Sequence, residues 1–187
     1  MLKNITILLF LLFIPLVGST GGSRPGIESP VTGFIDIMVE SNINKVLFTY
    51  PLTEENITPR GNHAADIIVP VKDFRCNNRI AYKDFLTLLK ASDYPDIKIT
   101  IPGNIIEELR ENESVNLKNV MIDIAGVKKE YDIVCTPEHG KHKENVFTGT
   151  IAVALNDLNI NPPEKYFGMV KIKDKVIVKF GLGRKSG

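Results

Sequence analysis

From Phe34 to Phe180 apolar and polar residues trade places along most of the chain, and a period of two is the mark of a half-buried β-strand. Phe34-Ile35-Asp36-Ile37-Met38-Val39 and Lys45-Val46-Leu47-Phe48-Thr49-Tyr50 are β-rich runs around the turn-like Ser41-Asn42-Ile43-Asn44, and they predict a hairpin. Thr53 to His63 holds Asn, Thr, Pro and Gly between apolar runs and predicts a longer loop. Ala65 to Val71 resumes the strand pattern. Pro70 within it points to an edge or a bulge, because proline has no N–H to give a ladder.

One segment breaks this rhythm. Ala81, Phe85, Leu88 and Leu89 stand at i, i+4, i+7 and i+8, which is one face of a helix over residues 79–91. Asn77 or Asn78 can cap its start by accepting a backbone N–H that the first turn leaves unpaired. Pro95 disfavours helical angles at Tyr94 and predicts a stop near Ser92.

Strand patterns then return. Ile97 to Ile101 alternates, and Val115 to Ala125 with Lys128 to Thr136 flank Gly126-Val127 as a second hairpin. Phe147, Gly149, Ile151, Val153 and Leu155 share one side of a strand. Thr148, Thr150, Ala152 and Ala154 share the other, and their small, scarcely polar character predicts packing on both faces. Met169 to Lys173 and Lys175 to Phe180 alternate around Asp174 and predict a closing hairpin. About eight short strands with one inserted helix predict an all-β fold, an antiparallel lipocalin-like barrel whose closure removes exposed strand edges.

The other end of the chain adds an address. Lys3 precedes an apolar run from Ile5 to Val17, and the small residues Gly18 to Gly22 follow, which is the order of a secretory signal peptide. The run is shorter than the ~20 apolar residues of a spanning helix. The expected organisation is a signal peptide over residues 1–20, a flexible Gly/Ser/Pro lead over 21–32 and one barrel domain over 33–183. Export to a periplasm, or to the extracellular space, is the expected localisation, with no membrane-spanning segment in the mature chain. No cysteine precedes Cys76, so the thiol that would accept a lipid near the signal's end is absent.

Removal of residues 1–20 would leave 22 basic against 22 acidic residues. Such a balance offers no electrostatic footprint for nucleic acid. In an exported chain Cys76 and Cys135 have two readings: a bridge contributing about 4 kcal/mol by closing a long loop, or two buried thiols acting as small apolar side chains.

Catalytic and metal chemistry find little support. His139-Gly140-Lys141-His142 reads as a charged hairpin tip, since a structural zinc site wants four ligands. Cys76 lacks the oriented base a thiol nucleophile needs. Glu107-Glu108 and Glu111-Asn112-Glu113 read as a solvated charge run, and Gly181-Leu182-Gly183 has no following helix with which to hold a phosphate. No enzyme, cofactor or metal site is expected.

Ile68-Val69-Pro70-Val71-Lys72-Asp73-Phe74, then Lys83-Asp84-Phe85 through Leu89-Lys90-Ala91, and Tyr94-Pro95-Asp96-Ile97 form an ordered series that Ile122 to Tyr131, Leu155 to Pro163 and Gly168 to Ile172 continue. Taken together and in order, these segments resemble the YceI-like family of polyisoprenoid- or lipid-binding proteins. Asn42-Ile43-Asn44 adds a turn like that of the shorter variant found in Bacteroidota. The resemblance implies an eight-stranded antiparallel barrel with an internal apolar tunnel, and an apolar long-chain lipid or isoprenoid as partner. On that footing Phe85, Leu89, Ile99, Ile101, Ile122, Ile124, Phe147, Ile151 and Val153 are candidate ligand-lining residues, and without it they are simply core. The corresponding functions are a carrier for an apolar chain, or a filled barrel acting as an interaction module.

Overall fold

A computed structural model of the protein describes residues 31–61, 64–103, 114–139, 145–161, 164–165 and 169–184. The expected signal peptide, residues 21–30 of the lead, the Glu107 to Glu113 run and His142 lie outside the described residues. Val31 and Thr32, expected in the lead, begin the first strand.

Nine strands form one antiparallel sheet. In chain order they are β1 (Val31–Glu40), β2 (Lys45–Leu52), β3 (Ile57–Pro59), β4 (Ala64–Pro70), β5 (Asp96–Pro102), β6 (Val115–Ile124), β7 (Val127–His139) and β8 (Asn145–Ala154). Two short strands follow, β9 (Glu164–Lys165) and β10 (Val170–Lys171), and then β11 (Lys175–Arg184). The order in the large sheet is β2-β1-β11-β8-β7-β6-β5-β4-β3, and β9 pairs with β10 apart from it. The sheet curls into a lipocalin-like half-barrel, as the alternation predicts, with a single α-helix among the described residues.

The ladder does not close, so the expected removal of strand edges by closure is not realised. Its end strands, β2 and β3, are not paired with each other. Thr49 and Arg75 bridge the seam, and the Asn56 amide donates both to the Tyr50 hydroxyl (2.7 Å) and to the Ile68 carbonyl (3.1 Å). The segment Thr53 to His63 is therefore more than a loop: it holds a 3-10 turn at Glu54–Asn56 and the strand β3. Pro70 ends β4 beyond the reach of β3, where its missing N–H costs no ladder bond.

The β1–β2 hairpin forms as expected, its turn held by the Ser41 hydroxyl, which accepts from the Asn44 N–H (3.0 Å) and donates to the Asn44 side-chain oxygen (2.8 Å). The β6–β7 turn falls one residue earlier than expected, on Ala125-Gly126, with φ of 51° and 80°. Glycine suits the second position doubly, because a Cβ there would lie 2.5 Å from the Tyr94 ring.

The expected closing hairpin is not formed. β11 pairs with β1 and β8, while Met169 to Lys173 is fastened to the end of β1. Asn42 grips that segment from both sides, donating to the Met169 carbonyl (2.8 Å) and accepting from the Lys171 N–H (3.0 Å). The Lys173 N–H adds a bond to the Glu40 carbonyl (2.8 Å). β11 also runs through Gly181-Leu182-Gly183, so that motif is strand.

The helix α1 spans Arg79–Leu88, and the Asn78 side chain caps it by accepting from the N–H groups of Ile80 and Ala81, each at 3.0 Å. It ends earlier than Pro95 alone requires. Lys90 turns left-handed (φ 50°), and the N–H groups of Lys90 and Ala91 reach back to the carbonyls of Thr87 and Leu86. That pattern satisfies carbonyls the last turn would otherwise leave unpaired.

The core fills the concave side of the sheet. Phe147, Gly149, Ile151 and Val153 of β8, and Leu155 just past its end, point inward and are buried. Thr150 and Ala152 are exposed on the other side, so the expectation that both faces of β8 are packed fails. Small residues on that face meet solvent rather than a second layer.

Candidate functional site

Strand alternation and the position of α1 together define a hollow interior. Beneath α1 lies a cavity of about 90 Å³. Phe85 and Leu88 of the helix and Leu89 just past its end roof it, Leu155 and Leu158 close one side, and Ile35, Ile37, Val39, Ile97 and Ile99 stand among the strands around it. A second cavity of about 40 Å³ lies further along the barrel, bounded by Leu52, Ile101, Leu117, Ile133, Phe180 and Leu182 among others. Ile35, Ile99, Ile122, Ile151 and Val178 border both cavities and form a waist between them.

Of the candidate lining residues, Phe85, Leu89, Ile99, Ile122, Ile124, Ile151 and Val153 border the cavity under α1, and Ile101 borders the second. Phe147 is buried but borders neither, being part of the packed end of the barrel. Sequence reasoning passes over Ile35, Ile37 and Val39, whose alternation in β1 carries the same signal as that in β8. It also passes over Leu155, which continues the inward period of β8, and Leu158, which reaches the cavity from the 3-10 turn at Asn156–Leu158 and follows no strand period.

The walls are almost wholly hydrocarbon. Tyr131 is the one lining residue with a titratable group, and its hydroxyl is buried without a hydrogen-bond partner. Burial raises its pKa, and the negative charge of Asp157 adds to the rise. No group of three or more His, Cys, Asp or Glu side chains suited to a metal is found among the described residues. Such an interior can exclude water and hold apolar groups by burial.

Cys76 and Cys135 are both free thiols, so the bridge is not formed. Cys76 stands before α1, where its sulfur accepts from the Asn78 N–H (3.4 Å). Cys135 points inward from β7, and burial pushes its thiol up to about 11. Cys135 answers to the second reading of the pair, a buried thiol acting as a small apolar side chain, whereas Cys76 is only partly buried and hydrogen-bonded to the backbone.

The fold so described is that of the YceI-like proteins. A polyisoprenoid-binding domain from Saccharophagus degradans, implicated in plant cell wall breakdown, superposes with a TM-score of 0.62 over 86% of this chain and 99% of its own, at 10% identity. BcnA of Burkholderia cenocepacia gives a TM-score of 0.59 over 82% and 96%, at 13% identity. The YceI protein of Campylobacter jejuni gives 0.50 over 70% and 80%, at 15% identity. No family model matches the chain, and no curated protein does. The likeness is one of fold.

Proposed function

We propose that this is an exported, non-enzymatic binding protein that holds an apolar chain, such as an isoprenoid, a quinone tail or another lipid, inside its half-barrel. The hydrocarbon-walled cavity under α1, continued past a waist of aliphatic side chains toward a second cavity, carries this reading. Each buried methylene contributes roughly 0.8 kcal/mol, so such a site binds without polar chemistry. The polyisoprenoid-binding domain that shares the fold supports the ligand class.

A second reading is favoured by size. Cavities of about 90 and 40 Å³ are small, whereas pockets for drug-sized ligands occupy roughly 300–1,000 Å³. A long chain needs side chains of the waist and roof to move aside. A barrel that never opens would instead be a packed module presenting its loops to a protein partner.

Native mass spectrometry of the protein purified from its own source without detergent, followed by organic extraction, separates the two. A co-purifying long-chain lipid at near-equal stoichiometry is the expected result. A protein that is empty as isolated, and stays empty when offered isoprenoids and quinones, is the packed module.

A further inference from the structure

The folded chain leaves one polar group of its interior unanswered. The Tyr131 hydroxyl is the one buried side-chain oxygen or nitrogen among the described residues that has no hydrogen-bond partner. Buried polar groups are almost always paired, because taking a hydroxyl from water without a replacement bond is unfavourable, so an orphan of this kind needs a physical reason. Its placement is fixed by the sheet. Tyr131 lies two residues before Ile133 and four before Cys135 on β7, and strand alternation puts all three on the inward face. Across the ladder β6 bulges: Leu117 pairs with Ile133 and Val120 with Tyr131, so Lys118 and Asn119 together oppose Asp132. Asn119 is left-handed (φ 55°), and its N–H donates to the Asp132 carboxylate at 2.9 Å. That bond keeps Asp132 on the outer face, and its neighbour Tyr131 on the inner one.

Tyr131 borders the cavity under α1 and not the second cavity, and every other described side chain lining either space is hydrocarbon. An ordered water needs about two to four polar partners, and the side chains of this lining supply one. A ligand oxygen needs only that one. Burial raises the Tyr131 pKa, so the phenol keeps its proton at neutral pH and is available as a donor.

We propose that Tyr131 is the polar anchor of the interior and that its hydroxyl donates a hydrogen bond to a carbonyl oxygen carried by an otherwise apolar chain, held under α1. The inference rests on the carrier reading above and adds the ligand's functional group and the place where it sits. A carbonyl accepts without bringing a donor of its own. An alcohol would accept equally well, but its O–H would be left among hydrocarbon without a partner, at the cost of an unsatisfied group. A carboxylate would bury a charge where the described lining holds no Lys, Arg or His. The hydroxyl that is unfavourable in the empty protein is thereby satisfied in the loaded one.

The test measures the affinity of a linear isoprenoid ketone, the matching alcohol and the matching hydrocarbon for the wild type and for Tyr131→Phe. Loss of the hydroxyl should weaken the ketone about tenfold, the equivalent of one buried hydrogen bond. The alcohol should lose less, and the hydrocarbon should bind the variant as tightly as the wild type or more tightly. The infrared carbonyl stretch of the bound ketone should lie at lower frequency in the wild type than in Tyr131→Phe, a signature that a merely structural tyrosine would not give. A loss as large for the alcohol overturns the carbonyl as the preferred group. Equal effects on ketone and hydrocarbon, or a stretch that the substitution does not move, overturn the anchor while leaving the carrier standing. Binding of none of the three to the wild type overturns both.

Discussion

Thr49 and Arg75 exchange backbone hydrogen bonds of 2.9 and 2.8 Å across the seam where the end strands of the sheet do not meet. Unpaired strand edges invite pairing with other chains, and covering them is one way proteins prevent it. Here the cover at the α1 end is the segment after β4, and further along it is Asn56.

Asn56 is expected to matter more than a half-buried turn residue usually does. Its amide bonds Tyr50 and Ile68 across the seam, and its carbonyl oxygen accepts from the Thr53 N–H at 2.9 Å. Asn56→Ala should lower stability by about 1 to 2 kcal/mol, read as a shift in the urea midpoint. Asn56→Asp, which keeps the acceptor and loses the donor, should fall between the two. A midpoint unmoved in Asn56→Ala would mean that the seam is held by Thr49 and Arg75 alone.

Acid should loosen the attachment of residues 169–173 to β1. Glu40 accepts a hydrogen bond from Lys173 (2.7 Å) and another from Lys45, and these hold its carboxyl near 2, below the ordinary 4.5. A carboxylate whose pKa is depressed by folding stabilises the native state above its unfolded value and loses that contribution as pH falls through its folded one. Stability should therefore decline between about pH 4.5 and 2, and Glu40→Gln should flatten that part of the profile. Carboxyl NMR checks it directly, since a Glu40 titration near its ordinary value would remove the two lysines from the account.

The two cysteines should behave differently toward a thiol reagent. Cys76 is partly exposed, whereas Cys135 is buried with its thiol pushed up to about 11. Thiolate is the reactive form, so native protein near neutral pH should label at Cys76 and spare Cys135. Denatured, unreduced protein should label at both. Failure of either to label after denaturation would restore the bridge.

Tyr131→Phe should stabilise the ligand-free protein. A buried hydroxyl without a partner costs about 1 to 3 kcal/mol, and the Tyr131 hydroxyl is of that kind. Removing it leaves the hydrocarbon wall intact, so the thermal midpoint should rise. A fall instead would mean that the hydroxyl has a partner in solution, such as an ordered water.

Period, cap and turn are local properties, and through them the sequence by itself determined the all-β class, the β1–β2 and β6–β7 hairpins, the inward face of β8 and the start of α1 to within Asn77 or Asn78. The side chains that set each of these lie within a few residues of one another, so their spacing suffices. What joins with what at long range was decided only by the tertiary structure. Met169 to Lys173 alternates like a strand of a closing hairpin, yet its partner is Asn42, 127 residues from Met169, and no local pattern encodes that choice. The seam and the waist arise in the same way. A cavity is the space that distant side chains fail to fill, and its shape exists only once the sheet has curled and α1 has come to rest against it.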